Sequence, residues 1–292
     1  MNRRDLLKTL PALAAASQVA AQPAGKSSGN KGRLRPGLVA YSFRAQLESK
    51  KLSYEDLIRM TADLGLEGLD TTVYWFPDTS DSYLAQLRRT AHRNGVSLYS
   101  VAVRVRLCQP TKELQAAEVE TAKKWVDVAQ KLGAGHVRVF GGTVPKGVSE
   151  DQAISWAAEV MKPACAYAGT KGITLGIEDD GGLSTNAAPT IEIIKRTDSP
   201  WAGMNVDTGN FPKNGYEQTA MSIPYAVSTH VKPYVTDADG KRQPADLDRL
   251  CSMFSAGGYR GFMSIEYEAN DPEIGVPRMA PELIRAARKY SA

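Results

Sequence analysis

Histidine and cysteine are both scarce in this chain of 292 residues, three of each. Cys108, Cys165 and Cys251 lie far apart, are odd in number and form no metal-binding or redox spacing, so no disulfide framework is indicated. Cys165 and Cys251 sit in helical patterns and are expected as buried thiols. After the leader, no stretch is apolar for long enough to span a bilayer. Positive charge is also lacking where a nucleic-acid binder needs it. The net charge is +4, but residues 1–36 hold seven Lys and Arg against Asp5 alone, which leaves the other 256 residues at −2. A mildly acidic body argues against a nucleic-acid partner. A glycine-rich phosphate turn is missing as well: "VAYSFRAQ" follows the first strand candidate, which excludes a doubly wound dinucleotide fold.

What is present begins with an export pattern. "NRRDLLK" is a twin-arginine sequence, and "TLPALAAASQVAA" is a short, weakly apolar stretch ending in small residues. Residues 1–21 are read as a twin-arginine signal peptide cleaved near Ala21, which predicts a periplasmic or otherwise exported protein. The alternative is the frayed amphipathic N-terminus of a cytosolic protein. Residues 22–36 are Gly-, Ser- and base-rich and are read as a linker. Residues 37–292 show no composition break and are read as one domain.

From Leu38 one unit repeats: a β-branched or aromatic run, a polar loop, then an amphipathic helix. Strands are expected at 38–43, 68–75, 97–105, 136–140, 173–178, 202–207, 227–232 and 261–267. Ser53 with Asp56 and Ser149 with Gln152 resemble capping boxes, and Pro244 suits a first helical turn. Gly65, Gly95, Gly133, Gly172 and Gly258 mark helix ends. Eight such units in about 250 residues predict a single (β/α)8 TIM barrel.

Strand parity then sorts the side chains, because alternate residues face the helices and the barrel interior. Ile173, Leu175 and Ile177 form an outward set, so Glu178 points in. Met204 and Val206 face out, so Asn205 and Asp207 point in. Val227, Thr229 and Val231 are assigned outward, with Ser228, His230 and Lys232 inward. Met263, Ile265 and Tyr267 face out, leaving Ser264 and Glu266 inside. Four successive strands thus deliver Glu178, Asp207, His230 and Glu266 at their C-terminal ends, the face on which barrel enzymes build active sites. Two carboxylates ~4 Å apart repel by roughly 4 kcal/mol at an effective dielectric near 20. Such a cluster needs either added protons or a cation. Three carboxylates and one imidazole suit one divalent ion, Mn2+, Mg2+ or Co2+, with Zn2+ also compatible. The other histidines serve as controls: His92 falls at a helix C-terminus, and His136 opens its strand at the bottom of the barrel as a structural residue.

The segments "IED" (177–179), "NVDTGN" (205–210), "STHVK" (228–232) and "SIEYE" (264–268) resemble the xylose isomerase-like TIM-barrel superfamily of sugar and sugar-phosphate isomerases and epimerases. The resemblance covers roughly residues 37–290. It implies a metal-dependent sugar isomerase or epimerase, with Mn2+ as the favoured ion and Glu178 and Glu266 acting both as ligands and as an acid–base pair. The same site chemistry in this family would serve a 3-keto-glycoside lyase or hydratase, and a periplasmic sugar-binding protein without turnover is a third reading. The abasic-site endonuclease branch is disfavoured, because its multi-metal site needs more histidines than three. This chain departs from many relatives at Asn210, where they carry His, and at Pro233, where they carry Asp. Pro233 removes a carboxylate next to the metal histidine, so the orientation of His230 must be fixed some other way.

Substrate contacts are expected from other inward positions. In "VAVRVR" the outward valines leave Arg104 and Arg106 facing the mouth, and Arg138 is inward on the next strand. Arginine there suits hydroxyl, carboxylate or phosphate recognition. For Arg138, burial against the barrel carboxylates is an equal alternative. Lys232, Asn210 and Tyr41 complete the substrate-binding set, with Phe43, Tyr74 and Trp75 as further aromatic candidates at the ends of the first two strands. The expected partner is a small sugar or keto-sugar; an oligomer is left open.

Overall fold

Eight parallel strands close on one another to form a barrel. They are β1 (Leu34–Val39), β2 (Gly68–Thr72), β3 (Ser97–Arg106), β4 (His136–Phe140), β5 (Thr174–Glu178), β6 (Ala202–Asp207), β7 (Ala226–Val231) and β10 (Gly261–Ile265). Their order around the barrel is β1-β10-β7-β6-β5-β4-β3-β2, so sequence neighbours pair and β1 meets β10 to complete the ring. The computed structural model of the chain describes residues 32–291. The expected signal peptide and most of the expected linker lie outside the described residues.

The strands form because their outward residues are branched and apolar. Leu38, Val101, Val103, Val139, Leu175, Ile177, Met204, Val206, Met263 and Ile265 are all fully buried between the barrel and its helices. Each such side chain contributes roughly 1.5–3 kcal/mol of transfer free energy. Helix boundaries follow local chemistry. Ser53 and Asp56 form a reciprocal capping box at the helix Tyr54–Asp63, and Ser149 accepts from the Gln152 amide at the helix Glu150–Thr170. The five glycines expected to end helices all have φ between 69° and 80°, a region that L side chains rarely adopt.

Several boundaries differ from expectation. β1 starts at Leu34, inside the stretch read as linker, because Leu34–Leu38 must pair with Gly261–Ile265 to close the ring. β2 stops at Thr72 and gives way to a 3-10 turn at Val73–Trp75; the last barrel strand stops at Ile265, one residue before Glu266. Pro244 does not begin a helix. It belongs to an antiparallel hairpin, β8 (Tyr234–Thr236) with β9 (Arg242–Pro244), and the next helix, Leu247–Ala256, is capped by Asp246, whose carboxylate accepts from the Arg249 amide. Val227 was expected to face the helices, but its side chain abuts Gly176 and Gly203 inside the barrel. The pairing of β6 with β7 shifts register at Met204/Asn205, and that irregularity resets parity at the start of β7.

Candidate metal centre

Glu178 ends β5, Asp207 ends β6, His230 is the penultimate residue of β7, and Glu266 follows β10. One ligand atom from each lies within 4.8 Å of those from the other three, and all four residues are buried. Parity therefore brought together the same four residues that the fold brings together. His230 Nδ1 lies 2.7 Å from Glu178 Oε1 and 3.5 Å from Glu266 Oε2. Neither contact has hydrogen-bond geometry, so Nδ1 is a buried nitrogen without a hydrogen-bond partner. It faces two carboxylates. That arrangement fits a cation between them.

The surrounding groups set the charge balance. Lys232 Nζ stands 2.6 Å from both Asp207 Oδ2 and Glu266 Oε2, and 3.4 Å from Glu268 Oε1. Arg138 Nε is 3.3 Å from Glu178 Oε2, with both side chains buried. Asp70, on β2, is fully buried and approaches His230 Nε2 at 3.3 Å. In their ionised forms the carboxylates of Glu178, Asp207, Glu266 and Asp70 outnumber the cations Lys232 and Arg138, and Asp179 and Glu268 stand close by. A divalent ion among them would offset that excess of negative charge. Two further contacts hold the ligands: Asn205 Nδ2 donates to Glu178 Oε1 at 3.2 Å, and the Asp207 amide donates to Asp179 Oδ1 at 2.7 Å.

Proton affinities reflect the same crowding. Burial, reinforced by Glu266 and Glu178 and only partly offset by Lys232, pushes the Asp207 carboxyl well above its usual range. Burial would also raise Glu266, but Lys232 and His230 outweigh it and hold that carboxyl low. Burial disfavours an imidazolium at His230, yet Glu266 and Glu178 drive its pKa well above the usual value. Lys232 is likewise driven up by Asp207 and Glu266 against its burial, which favours the ammonium. Asp179 is pushed well up by burial and by Asp207. Asp70 runs the other way: burial opposes ionisation, but His230 and then Ser100 and His136 hold it below the ordinary carboxylate value.

A cavity of about 350 Å³ opens above the cluster. Tyr41, Arg104, Arg138, Asn210 and Lys232 all line it, together with Tyr74, Arg106, Phe140, Glu178 and Glu266. Arg104 is exposed and its Cζ lies 4.0 Å from the Tyr74 ring centroid. Both alternatives for Arg138 hold at once, since it borders the cavity while paired with Glu178. Lys232 borders the cavity while its Nζ is engaged by Asp207 and Glu266. Phe43 packs into the core, and Trp75 stands beside Tyr41 with ring centroids 5.9 Å apart. His92 lies in the last turn of the helix Asp81–Arg93. His136 is buried at the start of β4, bonded through Nδ1 to Ser100 Oγ at 2.8 Å. Sequence reading missed Asp70, Asp179 and Glu268. For Asp70 a signal existed: in "GLD", Leu69 is the helix-facing residue, which turns the next residue inward.

The model of the xylose isomerase-like TIM barrel family matches residues 58–290. The chain belongs to this family. Among solved structures, a xylose isomerase-like TIM barrel protein from Mycobacterium smegmatis in complex with magnesium is 20% identical, with a TM-score of 0.71 over 88% of this chain and 98% of that one. D-psicose 3-epimerase from Clostridium cellulolyticum H10, solved with D-tagatose, is 14% identical, with a TM-score of 0.72 over 88% of this chain and 99% of that one. At such identities the likeness establishes the fold. A probable endonuclease 4 from Haloarcula marismortui is 29% identical over 161 residues, which are 53% of this chain and 55% of that protein. This family member thus spans about half the length of that curated relative. The family unites epimerases, dehydratases and endonuclease 4-like proteins on one barrel, so the site must decide among them.

Proposed function

We propose that the protein is a divalent-metal-dependent isomerase or epimerase of a sugar or keto-sugar, working by proton transfer at the carbon beside a carbonyl. One observation carries this reading. Glu178 and Glu266, from strands on either side of β6 and β7, both border the cavity and both approach the same imidazole. A carboxylate on each side of a bound substrate can remove a proton from one face and return it to the same or the other face. A bound ion, Mn2+ by the resemblance and Mg2+, Co2+ or Zn2+ by ligand chemistry, would polarise the carbonyl and stabilise the charge that develops on its oxygen. Glu178, Asp207, His230 and Glu266 would hold it. Arg138 orients Glu178, Lys232 orients Glu266, and Arg104, Asn210 and Tyr41 contact substrate hydroxyls at the mouth.

Elimination or hydration on a 3-keto-glycoside is the second reading, and Lys232 favours it. Its ammonium, 2.6 Å from Glu266 at the cavity, can donate a hydrogen bond to a departing hydroxyl, while the glutamate that took the α-proton returns it to the leaving oxygen. The nuclease reading has less support, because His230 is the single imidazole of the cluster and the chain beyond residue 36 is acidic. Incubating the metal-loaded protein with a panel of keto-sugars and keto-glycosides in heavy water separates these cases. Solvent deuterium in an isomeric product supports isomerisation or epimerisation; loss or gain of water supports the lyase or hydratase. No turnover across the panel, with metal bound, would leave a binding protein.

Export through the twin-arginine route belongs to the same proposal, supported by Arg3, Arg4 and the Ala-rich run after them. Changing both arginines to lysine is expected to leave the precursor in the cytoplasm, and an unchanged periplasmic yield would remove that part of the reading.

A further inference from the structure

We propose that Asp70 is the positioning residue for the ligating imidazole of His230, replacing the carboxylate that Pro233 denies to the strand bearing the histidine. The inference rests on the metal-site reading above. An imidazole that gives one nitrogen to a cation must carry its proton on the other, and the partner of that proton fixes the tautomer and the ring orientation. In His230 the roles are already divided. Nδ1 faces Glu178 and Glu266 without a hydrogen-bond partner, whereas Nε2 faces Asp70 Oδ2 at 3.3 Å.

The carboxylate comes from a distant part of the chain, 160 residues before His230. β2 and β7 are not adjacent; β1 and β10 stand between them. Asp70 therefore reaches its partner through the barrel interior rather than along a ladder. Its level in the barrel is polar: Asp70 is in register with Ser100, and Ser100 with His136. Barrel interiors are ordinarily filled by branched aliphatic side chains. A fully buried carboxylate there is costly unless a donor meets it. Among the described residues, the hydrogen-bond partner that Asp70 finds is His230, and its other oxygen has none. Ser100 Oγ and His136 Nδ1 pair with each other behind it at 2.8 Å. A proton on Nε2, pointed at Asp70, leaves the Nδ1 lone pair aimed at the cluster. An aspartate at position 233, where this chain has proline, could do this from just past β7; here β2 does it from across the barrel.

The test compares the wild-type chain with Asp70→Asn and Asp70→Ala, each stripped of metal and titrated with Mn2+ against a chelator of known affinity. Loss of an outer-shell partner typically weakens metal binding by about 10–100-fold. Asp70→Ala is expected in that range, and Asp70→Asn, whose amide oxygen can still accept from Nε2, nearer its lower end. In parallel, 15N-resolved proton spectra of histidine-labelled, Zn2+-loaded protein should show a hydrogen-bonded, slowly exchanging His230 Nε2 proton in the wild type and a faster-exchanging, shifted one in Asp70→Ala. A merely structural carboxylate would lower thermal stability without moving either readout. Folded variants that bind Mn2+ within twofold of wild type, with the His230 signals unchanged, overturn the proposal. Should Asp70→Ala fail to fold, the near-isosteric Asp70→Asn decides alone. A wild-type chain that binds no divalent ion overturns the metal reading instead. The His230 Nε2 proton, compared in metal-free wild type and Asp70→Asn, then rules by itself: an unchanged shift and exchange rate overturns the role of Asp70, and a shifted, faster-exchanging proton supports it.

Discussion

Lys232 Nζ stands 2.6 Å from Glu266 Oε2, the same oxygen that lies 3.5 Å from His230 Nδ1. One carboxylate oxygen thus serves both the built-in cation and the candidate ligand set. Lys232 is pinned between Asp207 and Glu266, whose carboxylates favour its ammonium form. Replacing it with methionine leaves two buried carboxylates without their partner, a change that costs about 3–5 kcal/mol in the metal-free protein. Added Mn2+ is expected to restore much of that loss. Thermal melts of Lys232→Met with and without Mn2+ should therefore differ more than those of the wild type; equal metal-induced shifts would contradict the shared-oxygen arrangement.

The two glutamates can be separated from the rest of the ligand set. Glu178→Gln and Glu266→Gln each keep an oxygen for the ion but cannot accept a proton. Metal content is expected to fall modestly and kcat by roughly 10²–10⁴. Asp207→Asn and His230→Ala should lose metal first and activity as a consequence. Metal analysis alongside turnover distinguishes the two patterns. Near-normal turnover by either metal-loaded Gln variant would sink the two-glutamate mechanism.

The cluster was legible because period-two alternation is a strong local signal at the ends of β5, β6, β7 and β10, where branched outward residues flank each ligand. Asp70 was not picked out because its partner is 160 residues away, and nothing local to "GLDTT" says what an inward aspartate would meet. The role of Lys232 was hidden for the same reason: parity gave its direction but not the two carboxylates it touches. Pro244 misled because proline suits both a first helical turn and a strand at the edge of a hairpin. The turn at Asp237–Gly240, where Asp237 Oδ1 accepts from the amides of Asp239 and Lys241, decides for the hairpin. Val227 failed because a register shift between paired strands leaves no mark in either strand's own alternation.

Gly176 offers a packing test of how the floor supports the site. A Cβ built on it would lie 2.3 Å from His136 Nε2 and 3.1 Å from Val227 Cγ2. Both neighbours would have to shift, and His136 is held by its bond to Ser100 Oγ at 2.8 Å. Gly176→Ala is expected to destabilise the fold by about 1–3 kcal/mol, the usual cost of overpacking. Because Glu178 is two residues further along β5, metal affinity should fall as well. Denaturant melts and Mn2+ titration check the two effects separately, and an unchanged midpoint would mean that His136 can move.

The buried imidazole of His136 also makes stability depend on pH in a defined window. Burial lowers its pKa from 6.5 to about 4, with Asp70 opposing the shift and His230 adding to it. The folded protein therefore keeps His136 neutral where the unfolded chain takes up a proton. The stabilisation is complete above the unfolded pKa of 6.5 and is lost progressively as pH falls toward 4. At 1.36 kcal/mol per unit, going from pH 6.5 to 5 removes about 2 kcal/mol. His136→Gln keeps a side chain able to reach Ser100 but does not titrate. Denaturant unfolding at pH 7 and pH 5 should show the wild type losing about 2 kcal/mol more than the variant over that interval. Parallel losses in the two proteins would place the acid sensitivity elsewhere, most directly in the carboxylates above it.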